Sequence, residues 1–350
     1  MPGKFNKGDV SEGILAAAIT ARFLSKTKTV TNSDVMTIIG QLNKAKKEGS
    51  GVTSITKFQS PNAQKRVKDE LICKVNLADI NMKAFLSKSA YKDRDVMGIV
   101  TASVAYANGK YVQEWADMMY NNNQKNIIEV LSEGLLDQTG TKVDLKVRID
   151  GKQAGVGISL KFGDVKQFGQ VGGTKWESML TLFSPLGVKF TKANKDKYID
   201  MLAAKKLAPA LTEVYSIAAS QMSRKKKKAF ATSLSSFMVE HATRGEEDVV
   251  LVQLNRAEAH VYDFDVLEQK LTGHTVDVVL SNGRTDKLST GGYKGGSSIP
   301  QIDFMIKDKL LVRIRLKLEG NRVNSKGKRL PLTVRSYIEK GPATTQLITG

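Results

Sequence analysis

Apolar positions recur at helical spacing over residues 10–24, behind Asp9 as an N-cap, and predict a first helix. Residues 34–47 predict a second, ending in Lys44, Lys46 and Lys47 before the breaker Gly49-Ser50-Gly51. Ser60-Pro61 reads as a cap followed by proline at the first helical position, so a third helix is expected there. Helical periodicity returns over 93–119, interrupted at Asn108-Gly109. The period then changes. Residues 126–131, 143–149 and 156–162 read as strands, with Asp150-Gly151 as a turn between the last two. A helical N-terminal half therefore feeds an antiparallel meander.

Helical spacing resumes over 174–183, 196–206 and 209–222, and the run Arg224 to Lys228 opens another helix to about residue 240. After His241 the pattern is β again, at 249–254, 276–280, 310–318 and 332–338, with the glycine-rich 291–298 as a loop. The expected class is α+β (α/β), with a domain over 1–245 and a β-rich part over 246–350 that is a second domain or an extension of the sheet. No internal repeat is visible.

Composition adds charge to this picture. The 350 residues carry 54 Lys+Arg against 35 Asp+Glu, a net +19. The excess is uneven: residues 141–240 hold 18 bases and 8 acids, whereas 61–140 hold 10 of each. A polyanion, nucleic acid above all, is the partner such a concentration suits; a solvated basic face is the plain alternative. Cys73 is the single cysteine and only three histidines occur, which excludes an internal disulfide and a Cys-rich zinc site. No apolar run approaches the ~18 residues of a membrane span, and Asp9 and Glu12 ahead of ILAAAI argue against a signal peptide, so a soluble, unexported chain in a reducing cytoplasm is expected.

Three places carry chemistry. Glu12 is the only acid between Val10 and Leu24 and shares its helix face with Ala16, Ile19 and Phe23. A carboxylate there needs a cation or metal beside it, unless it folds back on Asp9 as a capping box. Asp144 heads one strand, and Ser159 and Lys161 share a face of the next. Asp144 and Lys161 read equally as a cross-strand ion pair. Two acids on helix and strand, with a lysine on the adjacent strand, are the groups that metal-assisted phosphodiester cleavage needs. Carboxylates hold a hard divalent ion, and the lysine orients a water and offsets charge on the phosphate.

The ordered set Glu12, Asp144, Ser159-Leu-Lys161 resembles the PD-(D/E)xK nuclease superfamily, the restriction-endonuclease-like fold, in its phage and bacterial Ser-x-Lys variant. The resemblance spans about residues 8–180. It implies a mixed sheet flanked by helices, with the Glu on the first helix and the Asp and Lys motifs on adjacent strands. It implies catalysis by Glu12, Asp144, Ser159 and Lys161, with Mg2+ (or Mn2+) on Glu12 and Asp144. Position 143 is Val where the family has Pro, and Ser159 stands where a metal-binding acid is usual; Glu177 is the candidate to restore that acid, or is a solvated helix residue. DNA contacts are expected from Gln167, Gln170, Lys142, Lys166 and Lys175, with Lys189, Lys192, Lys195 and the run 224–228 as further backbone contacts. Arg313, Arg315 and Lys317 alternate on one strand face, which suits phosphate or an ordinary exposed sheet.

Rival motifs fail. The segment 169–175 lacks the Gly-Lys-Ser/Thr ending of a P-loop, Leu160 stands where a dinucleotide fingerprint needs glycine, and no G-x-S-x-G elbow occurs. The leading expectation is a Mg2+-dependent DNA endonuclease of phage or restriction type, compatible with a homodimer, in a bacterial or phage-infected cytoplasm. The alternative is a non-catalytic nucleic-acid-binding or phage structural protein on a degenerate nuclease fold.

Overall fold

The structure, a computed structural model, describes residues 5–25, 29–45, 47–48, 53–60, 69–121, 126–132, 143–153, 157–225, 227–244, 249–284, 298–319 and 333–349. The chain forms two compact units: 1–165 with 246–263 and residue 350, and 166–245 with 264–349. Both combine helices with a sheet, so the protein is α+β. No helix among the described residues is long and apolar enough to cross a membrane.

The first unit runs through α1 (Lys7–Leu24), α2 (Asn32–Lys44), β1 (Lys47–Glu48), β2 (Thr53–Ser60), β3 (Asp69–Asn76), α3 (Asp79–Phe85), α4 (Arg94–Ala107), α5 (Lys110–Asn121), β4 (Ile127–Ser132), β5 (Leu145–Ile149), β6 (Lys152–Gln153) and β7 (Gly157–Phe162). It is completed by β9 (Val249–Asn255) and β10 (Glu258–Tyr262). Among the described residues its sheet has the order β1-β2-β3-β4-β5-β7-β9-β10, parallel at β3/β4 and β7/β9 and antiparallel elsewhere.

Helix α1 is the core of this unit. From Val10 to Phe23 every residue except Glu12 is buried, the all-round apolar signature of an interior helix. Its cap is Asn6, which accepts from the Gly8 N–H at 3.0 Å, so the expectation of Asp9 as N-cap is corrected. Asn6 caps as well as Asp does, and Lys7-Gly8 extend the helix by a turn. Asp9 instead accepts from Asn6 Nδ2 at 2.8 Å and Asn81 Nδ2 at 2.7 Å. The capping-box reading of Glu12 falls with it.

Among the described residues, three strands, β1, β2 and β3, lie in the half expected to be helical. Leu71, Cys73 and Val75 alternate with more exposed neighbours along β3, and pairing with β2 and β4 decides for strand. Ser60 closes β2 instead of capping a helix, and 61–68 lie outside the described residues.

A division between the units does fall at 245/246, and further divisions fall at 165/166 and 263/264. β9 pairs in parallel with β7, from Gly157↔Val249 to Phe162↔Leu254, so 246–263 belong to the first unit. A parallel pair needs a long crossover, and 166–245 supply it. A pattern of apolar residues shows a strand but not its partner.

The second unit holds β8 (Gln167–Gly172), α6 (Trp176–Phe183), α7 (Lys192–Ala203), α8 (Leu207–Ser223), α9 (Lys227–Thr243), α10 (Leu267–Leu271), β11 (Asp277–Arg284), β12 (Ser298–Ile306), β13 (Lys309–Glu319), β14 (Thr333–Lys340) and α11 (Pro342–Ile348). Its sheet is antiparallel throughout, in the order β11-β12-β13-β14-β8. One face buries Ile302, Phe304, Ile314 and Ile338. Phe230 of α9 meets Phe304 at 5.9 Å between ring centroids, and Tyr215 of α8 hydrogen-bonds Ser336 at 3.0 Å. Trp176 packs against Phe190 and Tyr198 at 5.2 and 5.5 Å, joining α6 to α7.

The charge divides unevenly between the units. The second carries 29 Lys+Arg and 13 Asp+Glu, net +16; the first carries 25 and 22, net +3. The larger part of the basic excess and the acid–lysine set thus fall in different units.

Candidate active site

Four of the expected site residues, Glu12, Asp144, Ser159 and Lys161, belong to the first unit. β5 and β7 pair at Leu145↔Ile158, and beyond that point Asp144 continues the contact in another way. Its N–H donates to Ile158 O at 2.7 Å, and its Oδ2 accepts from Leu160 N–H at 2.5 Å. The carboxylate therefore occupies the place of a strand acceptor between the two strands. On β7, Ile158 and Leu160 join the core with α1, and the alternation sends Ser159 and Lys161 to the other face. Ser159 is buried, and its hydroxyl has no hydrogen-bond partner; Lys161 is half-buried and donates to Leu160 O at 3.0 Å.

Glu12 lies within electrostatic reach of Asp144 and Lys161. Its carboxyl is pushed up to about 9, first by burial, then by repulsion from Asp144 and Asp9. Lys161 acts in the opposite sense, as does the Ser132 hydroxyl from beyond hydrogen-bond geometry, and together they do not restore the ordinary value. Glu12 Oε2 is buried and unpartnered. Glu12 thus feels both Asp144 and Lys161, although more than 130 positions separate it from them.

A pH dependence follows. Above the ordinary carboxyl range the unfolded chain releases the Glu12 proton, and the folded chain keeps it until about 9. Glu12 thus costs stability increasingly as pH rises through that window. In chelator, Glu12→Gln is expected to be more stable than wild type at pH 8, by on the order of 1–3 kcal/mol, with the gain vanishing near pH 4. Urea denaturation at the two pH values measures it; a variant less stable at pH 8 would show that Glu12 is compensated in the fold.

Two neighbours were not legible in the sequence. Ser132 ends β4 opposite Leu145, one residue from Asp144, and is buried. Gln253 on β9 stands beside Lys161 in register. Its amide donates to Gly163 O and, at 3.3 Å, to Val165 O, while Tyr262 Oη donates to its Oε1 at 3.2 Å. Asn255 Nδ2 adds a 2.7 Å bond to Asp164 Oδ1. Gly163, at φ +72°, makes the turn, and these side chains tie the end of the lysine strand to β9.

Apart from Lys142, the remaining expected residues belong to the second unit. Glu177 is exposed in the first turn of α6, where the helix N-terminus favours an acid without any metal. Gln167 Nε2 donates to Gln170 Oε1 at 3.1 Å, and Arg335 Nη1 donates to the same oxygen at 3.2 Å, so both glutamines lie on the edge strand β8 of the second sheet. Lys166 and Lys175 are exposed. Lys142, Lys226 and residues 291–297 lie outside the described residues.

Among the described residues no three His, Cys, Asp or Glu side chains converge on one point. Glu12 and Asp144 lie within electrostatic reach of each other, and Glu12 Oε2 is buried without a hydrogen-bond partner among the described residues; carboxylate oxygens of this kind are the ligand type a hard ion takes. Compared with known proteins, the chain matches no family model, no curated protein and no solved structure.

Proposed function

We propose that the protein is a Mg2+-dependent DNA endonuclease, a PD-(D/E)xK-like enzyme working in a bacterial or phage-infected cytoplasm. The observation that carries this reading is that Asp144 ties the head of β5 to β7, the strand that bears Lys161, while Glu12 on the buried helix α1 lies within electrostatic reach of both. The mixed sheet with an acid-bearing helix packed on it also agrees with the resemblance.

Glu12 and Asp144 would hold the ion. When bound, it supplies an activated water and offsets charge on the phosphate oxygens. Asp144 is held rigidly by Leu160 N–H, which fixes the direction of its carboxylate. Lys161 would donate to a non-bridging phosphate oxygen and orient the attacking water. Ser159 adds a hydroxyl in place of a second repelling acid. The +16 unit would hold the polyanion.

A specific observation favours the second reading, a non-catalytic DNA-binding protein: Asp144 already has a structural task as acceptor for Leu160, and no third acid joins the pair among the described residues. Incubation with supercoiled, linear, branched and single-stranded DNA, in Mg2+ or in chelator, separates the two. Nicking or linearisation in Mg2+ alone is expected; retention without cleavage of any substrate in Mg2+ or Mn2+ selects the second reading.

A further inference from the structure

Strands β4, β5 and β7 carry a row of side chains on the face that α1 covers, in which Ser132 stands opposite Leu145 and Leu145 opposite Ile158. Leu145 and Ile158 pack in the core with α1, as do Ile128 and Val130, which share the Ser132 side of β4. A serine therefore occupies a position whose neighbours, both across the row and along its own strand, are apolar. It is 1% exposed, and its hydroxyl has no hydrogen-bond partner among the described residues. An orphaned hydroxyl in such a place opposes folding, and alanine would avoid the cost.

Glu12 lies on the helix that covers this row. The Ser132 hydroxyl is one of the groups that act on the Glu12 carboxyl, yet no hydrogen bond joins the two, and Glu12 Oε2 is orphaned as well. The chain thus brings a buried carboxylate oxygen and a buried hydroxyl near each other and satisfies neither. A single cation would satisfy both. Hard divalent ions take oxygen ligands, and a Ser or Thr hydroxyl holds Mg2+ in the P-loop. Asp144, the residue before Leu145 of the same row, is the other carboxylate that acts on Glu12. A hydroxyl adds an oxygen to this pair without adding a third negative charge. Ser159 is placed differently, because alternation along β7 sends it to the face away from Ile158.

We infer that the Ser132 hydroxyl is an oxygen ligand of the divalent ion held by Glu12 and Asp144. The presence of an ion rests on the proposed function; the choice of Ser132 rests on its burial, its orphaned oxygen and its place in the row. Ser103 on α4 provides the contrast. It is also buried with an orphaned hydroxyl, but it is not among the groups that act on Glu12.

The test measures ion binding by the full chain in calorimetry, with Mn2+ alone and then with Cd2+ alone, in the absence of DNA. Ser132→Ala is expected to bind Mn2+ about tenfold more weakly than the wild type. Ser132→Cys exchanges a hard ligand for a soft one, and is expected to lose Mn2+ affinity while gaining about tenfold in Cd2+ affinity. Ser103→Cys places the same thiol elsewhere in the unit and is expected to keep both wild-type affinities. Thermal melting in chelator checks each variant for folding, and Ser132→Ala is expected to melt no lower than the wild type. If Ser132→Cys does not fold, the Mn2+ affinity of Ser132→Ala decides. Wild-type Mn2+ affinity in Ser132→Ala, or equal Cd2+ gains in the two cysteine variants, overturns the inference and leaves Glu12 and Asp144 as ligands. A wild type that binds no Mn2+ removes the ion altogether, and the nuclease reading and this ligand with it. Cleavage is scored separately: Mn2+ bound through Ser132 without cutting of any DNA removes the nuclease reading and leaves the ligand standing.

Discussion

Asp144→Asn is expected to fold and bind DNA as the wild type does while losing Mg2+-dependent cleavage by a factor of about 10³ or more. The reasoning separates the two tasks of this residue. Asparagine keeps a carbonyl oxygen for the Leu160 N–H, so the junction of β5 and β7 stays closed. What it loses is the charge that would bind the ion beside Glu12. Asp144→Ala, by contrast, also leaves the Leu160 N–H without its acceptor and is expected to cost about 1–3 kcal/mol in stability. Lys161→Ala is expected to lower cleavage by about 10²-fold without unfolding, because its ammonium is bonded to a carbonyl of its own strand. Plasmid cleavage and urea denaturation, run on the same preparations, check these outcomes. Cleavage by Asp144→Asn at the wild-type rate would remove Asp144 from the chemistry.

The largest expected effect on stability is at Gly341, between β14 and α11. An added Cβ would sit 2.1 Å from Leu310 O and 2.6 Å from Leu310 C and Cγ, and the Gly341 N–H is bonded to Leu311 O at 2.7 Å. Main chain thus lies against main chain, and neither side can yield by rotating a side chain. Gly341→Ala is expected to destabilise the second unit by about 3 kcal/mol or more. Gly40 makes the opposite case: it is exposed in the middle of α2, with nothing within 4 Å of the missing Cβ. Gly40→Ala is expected to stabilise by roughly 0.5–1 kcal/mol through helix propensity alone. Chemical denaturation of the pair tests both signs, and a neutral Gly341→Ala would show that the α11 connection can shift.

The legible parts of the site are those whose oddity is local. Glu12 stands out as an acid in an apolar helix, and Lys161 as a cation between Leu160 and Phe162, because burying charge is costly wherever the chain runs. Ser132 and Gln253 give no such sign. One is a serine at the end of a strand and the other a glutamine within an apolar one, and each acquires its place only when β4 meets β5 and β9 meets β7. The strands β2 and β3 were hidden for a related reason. Their residues satisfy more than one period, and the hydrogen bonds of neighbouring strands, made by main chain, select among them.

By itself the sequence determined the α+β composition, most of the helices and strands after residue 93, the apolar first helix with Glu12 inside it, and the size of the positive charge. Local period, capping and composition are sufficient for these, since each depends on residues close in the chain. Tertiary structure decided the rest: that 246–263 close the first sheet, that Arg313 and Arg315 are answered by Asp303 and Glu339 while Lys317 faces Arg335, and that +16 of the +19 gathers in the unit without the acid–lysine cluster. Strand pairing acts over long separations, and a charge acquires its meaning from the neighbours that pairing brings to it.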